Sequence, residues 1–434
     1  MKLAINGGQK IIETGHVKWP SVTDRDKEYV MDVFDRKEFW GIFAHHVKNL
    51  ESEWAEYAGT KYSLSCNSGT AALHMATGAA EIGPGDEVIT PSLTFVATQL
   101  AVLYQNAVPV FADVDPRTFN IDPSKIEEKI TERTKAIIPV YLHGLVADID
   151  EINRIAKEHN LIVIADACQS PGALYKGKKA AALTDMSTFS LNGLKNLQCG
   201  DGGLFNTDNE NFFIKAGQMR IFGEIVNEVA PRDFNSRLIG CMYRLTEFSA
   251  AYARSRLIDL ESENDIRIQN AEYLTKNLSQ FEGIIPPYIP EGYKSVYHHY
   301  RIRFSPSALG INMHPKEFRA RIQKAMIAEG AQAQRWQTKP VQKQSLFKDK
   351  IGYGNGCPWN CKSGKGGNKI VYTPYDYIQT QRILDDSIVL HDCIYPPNGI
   401  KLMEKYIEVF KKLWENMDEL LSIELKENDP VLVD

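Results

Sequence analysis

No run of residues in this sequence is long and apolar enough to cross a bilayer, and the opening stretch MKLAINGGQKIIETGH lacks the apolar centre of a signal peptide. No membrane partner is expected. A nucleic-acid footprint is missing too: 50 lysines and arginines stand against 55 aspartates and glutamates, a net charge of -5, whereas a polyanion binder needs the opposite sign. Cysteine is sparse, seven residues in 434, odd in number and without the spacing of a disulfide framework. Reduced thiols in a cytoplasmic setting follow from that. Internal repeats are absent. What remains is ordinary for a globular chain, 43% hydrophobic and 24% charged, in a length that exceeds one compact core and calls for two domains.

From Tyr62 to Thr207 short apolar runs alternate with amphipathic ones, the pattern of a parallel sheet with helices on its faces. KYSLSC, EVITP, VPVFADV, KAIIPVYL, LIVIADA, DMSTFSL and GGLFNT read as strands; DIDEINRIAKEHN reads as a surface helix, and a further helix is expected from about Phe95. From Arg244 a long helical pattern links this part to the rest, followed by the Pro- and Gly-rich FEGIIPPYIPEGYK. We divide the chain into a large domain over 1–255, with an N-terminal arm, and a smaller α+β domain over 256–434. The latter has strand candidates YHHYRIRF and SIVLHDCIYP and a loop-rich insertion at about 343–378.

Three segments carry chemistry. CNSGTAALH sets Ser68, Gly69 and Thr70 at a helix start, where free backbone N–H groups and the positive end of the dipole favour a phosphate; by itself the pattern is more often a plain cap. LIVIADACQS ends a strand at Asp166, on the edge where open α/β sheets bind ligands, and a carboxylate there can hold a protonated ring nitrogen. TFSLNGLKNLQCGDGG holds Lys195 between an apolar run and the Gly202–Gly203 pair. A lysine among apolar neighbours loses its proton more easily, and its neutral amine attacks carbonyl carbon to form a Schiff base. The glycines are expected to let backbone pass close to a bound ring or a partner subunit. Taken in chain order, these segments supply the anion site, ring-nitrogen partner and amine that pyridoxal 5'-phosphate (PLP) requires.

Over nearly its whole length the sequence resembles the DegT/StrS family of PLP-dependent sugar aminotransferases. The specific matches are SGTAALHMA, IGPGDEVITPSLTFVAT, VPVFADVDPRTFNIDP, VIADACQSPGA, FSLNGLKNLQCGDGG and RLTEFSAAYARSRL. The resemblance implies the type I aminotransferase fold: an α/β domain with a mostly parallel central sheet and helices on both faces, plus a smaller α+β C-terminal domain. It implies transfer of an amino group from glutamate or glutamine to a keto-sugar or keto-cyclitol, in amino-sugar, aminocyclitol or antibiotic biosynthesis, by a homodimer with shared active sites. It also implies roles: Gly69 and Thr70 amides and the Ser190 hydroxyl on the phosphate, Phe95 stacked on the ring, Asp166 on the pyridine nitrogen, Gln169 near the phenolic oxygen. Lys195 would be covalent anchor and proton shuttle.

Two positions depart from the family pattern. Asn192 stands where many members have histidine and where the ketocyclitol and amino-hydroxybenzoate synthase branches, the nearest in character, have glutamine; it is a candidate for substrate contact. Met242 stands where an asparagine usually reaches the neighbouring subunit's phosphate, and a thioether cannot donate a hydrogen bond, which leaves Asn235, Arg237 or Arg244 to compensate. A PLP-dependent dehydratase or aromatising enzyme, or a non-catalytic PLP-binding regulator, are the alternative functions. His298 and His299 in VYHHYRIRF are expected to alternate across a strand, so that they cannot face one metal, with one a candidate for the substrate pocket. Cys357 and Cys361 lack a second ligand pair, so no metal is expected and their loop is read as lying on the substrate side.

Overall fold

The computed structural model describes residues 2–354, 356–360, 370–373 and 377–432. Two helices, α1 (Asp24–Arg36) and α2 (His45–Ala58), precede the sheet. The chain then alternates as β1 (Tyr62–Cys66), α3 (Gly69–Ala79), β2 (Glu87–Pro91), α4 (Ala97–Tyr104), β3 (Val108–Ala112), β4 (Thr134–Ile137), α5 (Ile149–Glu158) and β5 (Ile162–Asp166). A small ribbon, β6 (Leu174–Tyr175) with β7 (Lys178–Lys179), leads to β8 (Met186–Ser190), β9 (Gly203–Thr207) and α6 (Glu210–Arg220).

Seven strands form the central sheet in the order β1-β9-β8-β5-β4-β2-β3. β8, β5, β4, β2 and β3 are parallel neighbours, and only β9 runs against both of its partners. The strands read as continuous apolar runs because both faces are covered. Successive residues go to opposite cores: Ile89, Ile137, Val163 and Leu204 pack with α2 and α5, while Val88, Ala136, Ile164 and Phe205 pack with α3, α4 and α6. The period-two alternation of a pleated strand thus serves two helix layers at once.

Helix α7 (Glu247–Leu278) is 32 residues long and bridges two cores: Ala250, Ala253 and Leu260 lie in the first, Ala271, Leu274 and Leu278 in the second. The second unit continues through β10 (Ile284–Ile285), β11 (Tyr293–Lys294), β12 (Tyr300–Phe304), α8 (Pro315–Ala328), α9 (Ser345–Lys348), α10 (Ile378–Asp386), β13 (Ser387–Leu390), α11 (Ile400–Glu415) and α12 (Met417–Leu421). Its antiparallel sheet is ordered β10-β12-β13, whereas β11 pairs with β6 of the first unit.

The packing divides the chain differently from a cut between 255 and 256, which falls inside α7. Leu3, Ile12 and Trp19 also join the second core rather than the first. The cause is electrostatic as well as apolar: the buried Glu329 carboxylate accepts from Lys412 Nζ at 2.8 Å and from the Ala4 N–H at 2.8 Å, pinning the N-terminal segment to α11. Of the loop-rich insertion, Trp359 is buried against Phe347 and donates its indole N–H to the Tyr372 hydroxyl, which in turn donates to the Pro109 carbonyl. Trp359 is therefore a core residue, not a substrate-side one. Cys361 lies outside the described residues; Cys357 is disulfide-bonded, and five other cysteines are free. Among the described residues no helix is long and apolar enough to cross a membrane.

Candidate functional site

The carboxyl ends of the parallel strands open onto a cavity of about 430 Å³. Ser68, Gly69, Thr70, Phe95, Asp166, Gln169, Ser190, Asn192, Lys195, His298 and His299 all line it. These residues come from five separate loops, and each is placed by a local cause.

Ser68 is the N-cap of α3, its hydroxyl accepting from the Ala71 N–H at 3.0 Å, so its side chain serves the helix. The next amides, of Gly69 and Thr70, have no intrahelical acceptor and line the cavity, an arrangement that can take an anion. Only glycine fits at 69, since a Cβ there would lie 2.8 Å from Ser190 Cβ and 3.0 Å from Cys168 Sγ. Ser190 ends β8, its hydroxyl accepting from the Asn192 N–H at 3.3 Å. Phe95 sits 57% exposed between β2 and α4, a ring presented to the cavity rather than to the core.

Asp166 ends β5 and is 6% exposed. Thr98 Oγ1 donates to its Oδ2 at 2.7 Å and the Cys168 N–H donates to its Oδ1 at 3.3 Å, which fixes the plane of the carboxylate. Gln169 accepts the His143 N–H at 2.7 Å through Oε1, leaving its NH2 group as the end available to a ligand. Lys195 follows a tight loop closed by its own N–H to the Asn192 carbonyl, at 2.8 Å. Desolvation lowers the pKa of its amine below the ordinary 10.5, with Cys168 and Asp166 opposing that shift.

Other expectations change. Of the Gly202–Gly203 pair only Gly202 lines the cavity, where a Cβ would lie 2.9 Å from Cys199 Sγ; a Cβ on Gly203 would lie 2.3 Å from the Ser68 carbonyl oxygen. Gly203 lets the β9 backbone press against the start of α3. Gly203→Ala is expected to cost about 1–3 kcal/mol of stability by overpacking and to weaken phosphate binding. Gly193→Ala, whose nearest contact would be 3.7 Å away, leaves both unchanged; paired thermal melts and phosphate competition check this. Asn192 reaches the cavity rim, but its amide donates to Asp201 Oδ1 at 2.9 Å and accepts from the Leu194 N–H at 3.2 Å, so it braces the lysine loop. Arg244 does not line the cavity; it lies over the Trp40 ring beside Met242. Arg237 pairs with Asp233.

The histidines overturn the strand reading. β12 begins only at Tyr300, and Tyr297 has φ of 43°, so His298 and His299 lie in a bend to which alternation does not apply. That bend docks on the turn around His143, where the His298 N–H donates to the His143 carbonyl at 2.9 Å. His391 follows β13, whose Leu390 pairs with Tyr300, and therefore faces His299 across the sheet end. Burial pushes the pKa of His143, His298 and His299 well below 6.5. Thr98, His143, Trp336 and His391 are site residues that the sequence reading missed; the only signal was the His-Asp pair just after SIVL, far along the chain from the other motifs.

Buried acid, desolvated lysine, amide donor and helix amides on one cavity fit the ring nitrogen, aldehyde, phenolic oxygen and phosphate of PLP. The model of the DegT/DnrJ/EryC1/StrS aminotransferase family matches residues 20–362. GDP-perosamine synthase of Caulobacter vibrioides is 36% identical over 285 residues, covering 65% of this chain and 76% of that protein. L-glutamine:2-deoxy-scyllo-inosose aminotransferase of Streptomyces lividus is 35% identical over 320 residues, 71% of this chain and 75% of that one. Among solved structures, NtdA from Bacillus subtilis with bound cofactor PMP superposes with a TM-score of 0.76 at 26% identity, covering 94% of this chain and 87% of the other.

Proposed function

The chain belongs to the DegT/DnrJ/EryC1/StrS aminotransferase family, and on that premise we propose that it carries the amino group of glutamine or glutamate to the ketone of a sugar or cyclitol, with Lys195 as anchor and proton carrier. It is a PLP-dependent aminotransferase of amino-sugar or aminocyclitol biosynthesis. The observation that carries the residue roles is the convergence of Lys195, Asp166 and Gln169 with the α3 amides on one cavity. Bound PLP supplies an aldehyde for covalent attachment and an electron-withdrawing ring.

The protein's own groups do the rest. Gly69 and Thr70 N–H groups and the Ser190 hydroxyl hold the phosphate. Asp166, with its plane set by Thr98, keeps the ring nitrogen protonated by a charge-assisted bond. Gln169 donates to the phenolic oxygen, and Phe95 covers the ring face. Lys195 would anchor the cofactor, and its amine, once free, would hold and move the proton at the carbon that exchanges nitrogen. A cytoplasmic setting suits the five free thiols, whereas the disulfide at Cys357 departs from the expected wholly reduced set. Borohydride reduction and peptide mapping test the assignment: the label belongs on Lys195, and a label elsewhere rejects it. Product mass separates amino transfer, which replaces oxygen by nitrogen, from dehydration, which removes water.

We also assign a homodimer. The segment after α6 exposes Val229 and Ile239 at 95% and 93%, with Phe234 and Met242 of the same segment also exposed. It returns beside the phosphate end, where the Asn67 N–H donates to the Tyr243 carbonyl at 2.8 Å. Apolar side chains so open beside a site call for a partner surface. Sedimentation should give a dimer for the natural protein and a monomer with at least ~10-fold lower turnover for Val229→Asp/Ile239→Asp. A fully active monomer contradicts this.

A further inference from the structure

We propose that His298, His299 and His391 form a binding site for a divalent transition cation of the zinc type on the wall of the active-site cavity. One ligand nitrogen from each ring lies within 4.8 Å of the others, all three residues are buried, and all line the cavity that contains Lys195. An ion with metal–nitrogen bonds of about 2.0–2.1 Å closes that spread with small ring movements.

The unpaired atoms point the same way. Neither nitrogen of His299 has a hydrogen-bond partner, nor does Nε2 of His391, although these atoms are buried. Unsatisfied buried nitrogens in contacting rings are costly, and a bound ion would take one lone pair from each of His299 and His391. The remaining nitrogens are already oriented. His391 Nδ1 lies 2.5 Å from the Asp392 carboxylate, and His298 Nδ1 lies 2.9 Å from the Tyr395 hydroxyl. The carboxylate behind His391 and the hydroxyl behind His298 are the kind of outer shell that fixes tautomer and ring direction at metal sites, while His299 has no such partner. Lys195 places a positive charge nearby, and the Asp392 carboxylate behind His391 opposes it.

Three protein ligands leave a fourth position, which faces the cavity and suits an oxygen of a bound polyhydroxylated molecule. Ion binding itself does not depend on the cofactor assignment. A second cluster, Asp32 with His45 and His46, is a surface control: His46 is already engaged through both nitrogens, by Asp32 and Arg254.

The experiment strips the holoenzyme with a chelator and titrates it with zinc chloride by calorimetry, then with cobalt chloride by visible absorbance, reading the cofactor band in every sample. We expect one ion per chain with a dissociation constant near or below ~1 μM and the visible bands of four-coordinate cobalt. His299→Ala and His391→Ala weaken binding at least ~100-fold, Asp392→Asn weakens it about 10-fold or more, and the cofactor band persists in all three. His45→Ala changes nothing. Should His299→Ala disturb the fold by circular dichroism, His299→Gln replaces it. Zinc binding that survives His391→Ala, or that His45→Ala removes, overturns the site, as does natural protein binding no tighter than the His298→Ala/His299→Ala variant. Loss of the cofactor band from unsubstituted protein instead refutes the PLP assignment and leaves the ion titration readable.

Discussion

Lys195→Ala lowers the rate of amino transfer about 10⁴-fold and removes the borohydride-trapped adduct, because one side chain supplies both covalent attachment and the mobile proton. Stability moves little or rises, since the substitution takes a desolvated amine out of the cavity. The pH dependence has a definite sign. Burial lowers the lysine pKa, so the neutral amine becomes available at lower pH than for an exposed lysine. Cofactor capture by the stripped protein should therefore climb with pH through a midpoint below 10.5. Stopped-flow absorbance after PLP addition measures it. A midpoint at or above the ordinary lysine value would show that the loop leaves Lys195 in water.

The second large effect belongs to Asp166→Asn, expected to reduce transfer about 10²–10³-fold while the protein still binds and traps the cofactor. The substitution keeps the shape of a side chain held by Thr98 at 2.7 Å and the Cys168 N–H at 3.3 Å, and removes the charge that holds the ring protonated. Single-turnover kinetics with each half-reaction separate this from a binding defect: the chemical step slows in both, and cofactor affinity changes far less. Thr98→Val keeps the charge and frees the carboxylate to rotate, so about a 10-fold loss is expected. Equal losses in the two variants would mean that orientation, not charge, is what Asp166 contributes.

Much of the first unit was legible because strand, turn and helix are local there. Apolar runs of four or five residues ending in Asp166 or Ser190 mark strands by composition alone, and strand ends in a parallel sheet share one edge. The place of a domain cut has no local marker because α7 has helical periodicity from end to end and no local feature says which core each turn enters. Gly203 departs from expectation for a related reason: a glycine signals close approach but not what approaches, here the Ser68 backbone.

The histidines show the limit most clearly. VYHHYRIRF has the composition of a strand throughout, yet the strand starts at Tyr300, because the preceding residues hydrogen-bond to the turn at His143 and Gly144, more than 150 positions earlier. His391 reaches His299 only through the pairing of Tyr300 with Leu390. The sequence by itself determined the parallel sheet, the helix-start amides and the acid and lysine on one edge, since each follows from short-range periodicity and from where strands end. Tertiary structure alone decided which imidazoles meet, which glycines carry packing and which core holds the N-terminal segment, because those depend on contacts between residues far apart in the chain, for which no local pattern exists.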